Sequence, residues 1–342
     1  MCIARSTPHV RRGCWQVMLL PNEYVKEHGI IRRIVFRLVR KRIAGSTLGS
    51  LMKNIMSLNE RGMHTTATLL NDRSMDLQKA KYNTNSYLQM IRQISRLHLN
   101  SDISLRPSQL GYSLSREAFG KNIEDIASLS AQTGVKAWLE IENNVDYDSV
   151  LSVYTGLRDS YGSIGMEVPY GLNGQAFKQL SRKDGHMKIV IGKRYTKGQP
   201  NEKRKEPNGK AGKKAENKNR IDDMVGYFGR AVGACRDVTI SDTEEGNILR
   251  IANRSKELKK GAAFELPFGE SNKKLNKLIK SKINLSIYTP YGKDWVTYAI
   301  NRLAEGHIRR IASAVLSKSQ KGSNAQMMDD ADFGPGEDDY AG

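Results

Sequence analysis

The chain has 342 residues and carries 55 Lys and Arg against 36 Asp and Glu, a formal net charge of +19. This length accommodates one large barrel domain or two smaller domains, and the three scattered cysteines argue against a disulfide framework and against a metal site. Much of the positive charge lies in residues 1–45 and 197–220, so net charge gives little support for nucleic-acid binding and no specific nucleic acid is expected.

The first 45 residues are interpreted as a basic N-terminal extension that contains a helix. In residues 30–43 apolar and basic side chains recur at nearly helical spacing, with Ile31, Val35 and Leu38 on one face. One interpretation is a helix that lies on an anionic membrane surface, which makes peripheral membrane contact through 30–43 a candidate partner interaction. The other interpretation is a helix that caps the following domain.

From residue 46 the pattern alternates between helical and extended segments. The predicted strands are 64–70, 103–107, 136–142, 164–169, 187–192, 237–241, 262–268 and 283–288. The predicted helices are 46–61, 83–97, 115–132, 147–161, 172–181, 222–234, 244–259 and 271–282, with a last one that begins near 294.

Eight short strands that alternate with helices predict an α/β fold, a parallel (β/α)8 barrel of the TIM type with N-terminal helices and a final helix over its mouth. A doubly wound sheet is the alternative, but residues 68–72 after the first strand lack the glycine-rich phosphate loop of that fold. The barrel domain is assigned to 46–318. Residues 196–220 are interpreted as a disordered basic insertion and 319–342 as an acidic disordered tail.

The most informative segment is 288–305, which reads as the end of a strand, a Pro-Tyr-Gly turn and a helix. Tyr298, Arg302 and Glu305 stand at helical spacing on one face of that helix. An aromatic side chain, a guanidinium and a carboxylate that orients the guanidinium form a candidate clamp for an amino-acid carboxylate. A surface helix with an ordinary Arg–Glu pair explains the same three residues.

This segment resembles the C-terminal signature of the proline dehydrogenases. Further likeness to the family is found in 43–48 and 58–62 before the first strand and in strand segments 103–111, 139–142, 164–166 and 187–192. The resemblance implies FAD-dependent oxidation of L-proline, or of a similar cyclic amino acid, to 1-pyrroline-5-carboxylate in proline catabolism. It also implies hydride transfer to the flavin and a quinone or another electron acceptor.

The resemblance assigns roles to ten residues. The substrate-binding set is Tyr288, Tyr298, Asn301, Arg302 and Glu305. The catalytic pair is Arg106 and Glu140, which are expected to form an ion pair if the second and third strands are neighbours, and the cofactor-binding set is Lys188, Tyr195 and Ser241. No metal-binding residue is assigned.

Several of these positions depart from the family pattern. Asn301 replaces one of two adjacent arginines, Arg106 replaces a lysine, and Glu140 replaces an aspartate. Pro169 stands where the family has a flavin-contacting glutamine, and Ser241 where it has a histidine. A catalytically degenerate barrel that acts as a binding or regulatory protein is therefore the alternative function. The expected location is the cytoplasm or the inner face of a membrane, on the mitochondrial matrix side in a eukaryote.

Overall fold

The computed structural model describes residues 27, 29–142, 145–172, 174–191, 210–241 and 245–304. For residues 30, 31, 34, 174, 175, 210–220 and 300–304 only the backbone is described. The chain divides into two compact units, one formed by Arg40–Tyr298 and one by Met1–Val39 with Ala299–Gly342. Within the described residues no helix is long and apolar enough to cross a membrane.

The eight strands are β1 His64–Leu69, β2 Ser101–Leu105, β3 Ala137–Leu139, β4 Ile164–Pro169, β5 His186–Val190, β6 Asp237–Ser241, β7 Ala262–Pro267 and β8 Leu285–Tyr291. The helices are α1 Gly29–Val39, α2 Leu48–Glu60, α3 Leu77–Arg96, α4 Arg116–Thr133, α5 Tyr147–Arg158, α6 Gly174–Leu180, α7 Lys210–Ala234, α8 Glu245–Arg254, α9 Lys256–Gly261, α10 Asn272–Lys280 and α11 Trp295–Ala304. Each strand pairs in parallel with its neighbours, and β8 closes on β1.

The predicted (β/α)8 barrel is therefore confirmed. Its main apolar core lies between the strands and the helices, where Ile103, Leu139, Met166 and Ile189 are buried with apolar side chains of the surrounding helices. Because side chains alternate along a strand, the intervening residues face the interior of the barrel.

Helix starts follow side-chain caps that are visible in the sequence. Thr47 and Ser50 form a capping box at the start of α2, and Ser115 accepts a hydrogen bond from the Ala118 amide at the start of α4. Ser255 caps α9 in the same way and divides the single predicted helix 244–259 into α8 and α9. These caps satisfy backbone amides that the helix itself leaves without partners.

Several element limits differ from the sequence predictions. The helix α3 begins at Leu77 instead of 83, and β3 ends at Leu139 instead of 142. Two further differences are the end of β8 and the start of α7. The strand β8 runs through the predicted Pro-Tyr-Gly turn to Tyr291, and the chain turns at Gly292, whose φ of +137° favours glycine. Proline has no backbone N–H to donate, but the Pro290 carbonyl accepts a hydrogen bond from the Ala44 amide. The helix α7 begins at Lys210, inside the insertion interpreted as disordered, where Lys, Ala and Glu favour a helix.

The helix α1 belongs to the smaller unit and is amphipathic, as predicted. Arg33 and Arg37 are exposed, whereas Val35 and Val39 are buried. The domain limits, the acidic tail 319–342 and the placement of a final helix over the barrel mouth stay predictions.

Candidate functional site

The barrel interior is polar and charged, in contrast to the branched apolar side chains that commonly fill such barrels. Contacts between strands that are not neighbours identify the side chains that cross it. The Tyr288 hydroxyl on β8 donates to Glu140 Oε1, directly after β3, at 2.7 Å. Lys188 Nζ on β5 donates to Glu265 Oε2 on β7 at 2.8 Å.

Glu140 is the centre of the candidate active site. Its side chain is 4% exposed, accepts from Tyr288 and lies 3.4 Å from Arg106 Nε. Arg106 also lies 3.8 Å from Glu142 Oε1, and its own side chain is 18% exposed. The ion pair expected between Arg106 and Glu140 is thus present in the structure, and Tyr288 joins it from β8, across the barrel interior.

The charge of Arg106 is stabilised by its surroundings. Burial alone would lower its pKa, but Glu140 and Glu142 outweigh that effect and raise the pKa above the ordinary arginine value. Ser108 fixes Glu142 through its amide and its hydroxyl, at 2.8 Å and 2.9 Å. The guanidinium therefore remains a cation held between two oriented carboxylates at the end of β2.

A second polar network supports this arrangement. The side-chain nitrogen Nε2 of Gln109 donates to the Leu69 and Asn71 carbonyls at 3.1 Å and 2.7 Å, which ties the ends of β1 and β2 together. The Tyr87 hydroxyl donates to Gln109 Oε1 at 2.7 Å and accepts from the Arg106 amide at 3.4 Å. Burial raises the pKa of Tyr87, so its hydroxyl stays protonated and keeps this donor role.

Lys188 lies deeper in the interior and is fully buried. Its ammonium is 5.3 Å from the centroid of the Trp138 ring and 6.0 Å from that of Tyr288, in addition to its bond with Glu265. Its charge is thus compensated by one carboxylate and two aromatic faces. The predicted cofactor-binding residue Ser241 ends β6 at the register position next to Glu265 and is partly exposed.

The remaining predicted residues are less fully described. Tyr298 is buried, and its hydroxyl lies 3.5 Å from the Arg42 carbonyl. Asn301 and Arg302 lie in the last turn of α11, where only the backbone is described. Tyr195 and Glu305 lie outside the described residues. Tyr288, which was predicted to end its strand, lies in the middle of β8 because that strand continues to Tyr291.

Sequence reasoning missed several members of the interior network. Glu167, Glu265 and Trp138 were not selected, although each is buried in a short apolar strand. A charged residue within such a strand is itself a signal, because burial of a charge requires a partner. The same signal applies to Asp102 at the base of the barrel, which accepts from Trp138 Nε1 at 2.9 Å and pairs with His64.

The donor groups of the described strand ends fit a flavin ring, whose carbonyl and nitrogen acceptors require hydrogen-bond donors. Arg106 and Ser241 carry donor groups at strand ends, whereas Pro169 at the end of β4 has none. The Tyr288 hydroxyl, within β8, already donates to Glu140. Among the described residues no group of three or more His, Cys, Asp or Glu side chains is placed to hold a metal ion.

Comparison with known proteins finds proline dehydrogenases among the curated proteins, although no family model matches the chain. Proline dehydrogenase 1 of Bacillus subtilis strain 168 is 23% identical over 270 residues, which cover 78% of this chain and 86% of that protein. Proline dehydrogenase 2 of the same strain is 24% identical over 270 residues, which cover 85% of that protein.

Solved structures show the same fold. Proline utilization A (PutA) from Bdellovibrio bacteriovorus, inactivated by N-propargylglycine, matches with a TM-score of 0.60 and 12% identity over 84% of this chain. Proline utilization A from Corynebacterium freiburgense matches with a TM-score of 0.57 and 11% identity over 90% of this chain. The chain spans only about a third of those longer proteins, 36% and 33% of their lengths.

The fold and the interior define the class of protein as a (β/α)8 barrel with a charged site at the carboxyl ends of its strands. Within that class the chain is similar to the proline dehydrogenases of Bacillus subtilis and shares the fold of the proline utilization A structures.

Proposed function

We propose that this protein is a flavin-dependent oxidoreductase that converts L-proline, or a similar small cyclic amino acid, to the corresponding cyclic imine. The observation that carries the proposal is the Arg106–Glu140–Tyr288 constellation, which joins three predicted site residues across the barrel. The likeness to proline dehydrogenases along 270 residues supports the choice of substrate class.

The reaction requires two hydrogens to leave the substrate. For proline, the C5–H bond breaks and its electron pair leaves as hydride, while the ring nitrogen gives up a proton and a C=N bond forms. A bound flavin, proposed to be FAD, supplies the hydride acceptor. The protein must hold the carboxylate, receive the proton and exclude water.

In this proposal Glu140 receives the proton. Tyr288 takes it from the substrate nitrogen while passing its own hydroxyl proton to Glu140, so that the two groups act as a short relay. Arg106 lies 3.4 Å from Glu140 and places a permanent positive charge beside this carboxylate. Lys188, Ser241 and Tyr195 are assigned to the flavin.

The substrate carboxylate is assigned to Arg302, with Asn301 beside it, Glu305 orienting the guanidinium and Tyr298 packing on the pyrrolidine ring. One guanidinium is sufficient for a bidentate carboxylate contact. Electrons leave the reduced flavin to a quinone or another acceptor, which is consistent with peripheral membrane contact through 30–43. These assignments follow the family resemblance.

A second candidate is a barrel that binds a ligand without turnover. Lys188 favours it, because this cation is fully enclosed and its charge is matched by Glu265 within the protein. Pro169 favours it as well, because a proline side chain gives a cofactor no hydrogen bond. In this reading the fold is retained and the chemistry is lost.

The test is proline oxidation by the purified protein with a soluble dye as acceptor, for the wild type and for Arg302→Ala. Loss of one charge-assisted carboxylate contact costs about 1.5–3 kcal/mol, so kcat/KM should fall roughly 10- to 100-fold or below detection. Arg92→Ala on the exposed side of α3 is the matched control and should leave turnover unchanged. Equal activity of Arg302→Ala and wild type would remove the assigned anchor.

A further inference from the structure

The ion pair between Lys188 and Glu265 is enclosed in the barrel interior. The two side chains are 0% and 3% exposed, and Lys188 Nζ lies 2.8 Å from Glu265 Oε2. Lys188 lies on β5 and Glu265 on β7, and β6 pairs with both of these strands. The contact therefore spans one strand, so it requires both side chains to reach across the interior.

A second carboxylate lies next to Lys188 on the other side. Glu167 on β4 is the register partner of Lys188 and is buried. Its Oε2 accepts from the Ile141 amide at 3.2 Å, close to the end of β3. Within the part of the chain that the structure describes, Glu265 is the one carboxylate at ion-pair distance from the Lys188 ammonium. Glu265 therefore determines where this ammonium is held.

The two charges of this pair have opposite effects on a flavin bound beside them. Hydride uptake gives the reduced flavin ring one negative charge more than the oxidised ring. A lysine cation near the ring therefore stabilises the reduced form, and a carboxylate near it stabilises the oxidised form. Because the pair is buried, solvent screens neither charge strongly, and the carboxylate offsets the cation.

We propose that Glu265 is a positioning residue that lowers the reduction potential of the bound flavin by holding Lys188 and offsetting its charge. This role rests on the proposed function, in which Lys188 is assigned to the flavin. Glu265 lies two residues before the end of β7, at the register position next to Ser241, which is also assigned to the flavin. The carboxylate thus lies at the level of the barrel at which the flavin is proposed to bind.

A pair that only stabilises the fold is the competing explanation, and the reduction potential distinguishes the two. The full-length protein is reconstituted with FAD and reduced slowly under anaerobic conditions, together with a dye of known potential. No proline is present, so the measurement does not depend on proline oxidation. A pair that only stabilises the fold gives no reason for its two single variants to shift the potential in opposite directions.

The single variants should shift the potential in opposite directions, and the double variant should restore it. Glu265→Gln keeps an oxygen that can accept from Lys188 Nζ but removes the negative charge, so the potential should become more positive. Lys188→Met leaves the carboxylate without its cation, so the potential should become more negative. A tenfold change in the relative affinity for reduced and oxidised FAD corresponds to about 30 mV for a two-electron couple, and we expect each shift to be at least that large. The double variant removes both charges and should return close to the wild-type potential.

The matched control is Asp237→Asn, which also replaces a carboxylate by its amide. Asp237 pairs with Lys136 at 2.9 Å and lies at the start of β6, so it is at the opposite end of the barrel from the proposed flavin site. This variant should have the wild-type potential. If Lys188→Met does not fold, Glu265→Gln and the double variant still decide the question.

Two results would overturn the role of Glu265 even in a protein that oxidises proline. One is a Glu265→Gln variant with the wild-type potential, and the other is a double variant that is shifted as far as Glu265→Gln. A wild type that takes up FAD but does not oxidise proline would contradict the proposed function alone. A wild type that takes up no flavin would contradict the proposed function and the role of Glu265 together.

Discussion

At the scale of single residues, Glu140 and Tyr288 are the groups on which the proposed chemistry depends. Replacement of Tyr288 by Phe removes the 2.7 Å hydrogen bond to Glu140 and interrupts the proposed proton relay. We expect kcat to fall about 100-fold, the lower end of the range for general acid–base catalysis, with a shifted pH profile. The measurement is steady-state proline oxidation between pH 6 and 9.

The matched control for this prediction is Tyr161→Phe. Tyr161 also directs its hydroxyl at a glutamate, Glu124 at 3.4 Å, but it lies outside the barrel interior, next to α5. Its substitution should leave kcat and the pH profile as they are. If Tyr288→Phe behaves like Tyr161→Phe, the relay is wrong.

The buried pair Lys188–Glu265 gives a prediction about stability. Lys188→Met alone leaves the Glu265 carboxylate buried without its partner, which typically costs about 3–5 kcal/mol. The double variant Lys188→Met with Glu265→Gln removes both charges and should recover much of that loss. Urea unfolding of the four proteins in the cycle measures the coupling, and a double variant no more stable than Lys188→Met would contradict it.

The partners of these residues are the part of the site that sequence does not reveal. Arg106 and Glu140 lie at the ends of adjacent strands, so their pairing could be predicted from strand order alone. Lys188 and Glu265 are far apart in sequence and meet only because the barrel closes. Contacts across the interior depend on the tilt and closure of all eight strands, which no local pattern encodes.

At the scale of elements, β4 makes room for the interior network with Gly165. An added Cβ there would lie 2.6 Å from two carbons of the Trp138 ring and 2.9 Å from His186 Cβ. Gly165→Ala should therefore displace Trp138 and destabilise the protein by about 1–3 kcal/mol in urea unfolding. The control is Gly156→Ala on α5, where an added Cβ meets nothing within 4 Å. Equal stability of the two variants would contradict the prediction, because it would show that Trp138 can move aside without loss of stability.

The start of β6 is joined to its neighbours by Asp237, which lies 2.8 Å from His186 Nδ1 and 2.9 Å from Lys136 Nζ. The hydrogen bond from His186, and the further bond and charge of Lys136, hold the Asp237 pKa well below its usual value despite partial burial. A depressed folded-state pKa stabilises the fold at pH values above about 4, and this contribution is lost as pH falls through the folded-state pKa.

Asp237→Asn should consequently lower the melting temperature at pH 7. The difference in melting temperature between the variant and the wild type should become smaller as pH falls below about 4. Thermal unfolding between pH 3 and 7 measures this difference. Asp223→Asn at an exposed position of α7 is the control and should follow the wild type at every pH. A difference that is the same at pH 3 and pH 7 would contradict the role of Asp237.

Most elements could be predicted from the sequence, and the exceptions have physical reasons. The limits of β4 and β6 agree with the predictions. The end of β8 was missed because Pro290 signals a turn locally, whereas pairing with β1 keeps it extended. The start of α7 was missed because residues 210–220 are polar all round, and polarity there reads as loop.

At the scale of the whole molecule, the barrel separates its tasks. The apolar layer between strands and helices provides stability, and the interior carries charges that a purely structural barrel would not require. The carboxyl ends of the strands present Arg106 and Glu140 at the mouth. Stability and the proposed chemistry are thus assigned to different layers of one fold.

The central claim is that this barrel binds a flavin and uses it to oxidise proline. It is tested most directly by the visible absorption spectrum of the purified protein, reconstituted with FAD, before and after anaerobic addition of L-proline. For the wild type we expect a flavin spectrum that bleaches on addition of proline. For Glu140→Gln we expect the flavin to bleach more slowly. A protein that takes up no flavin, or whose flavin stays oxidised with proline, would contradict the account and favour a barrel that has kept its shape and lost its chemistry.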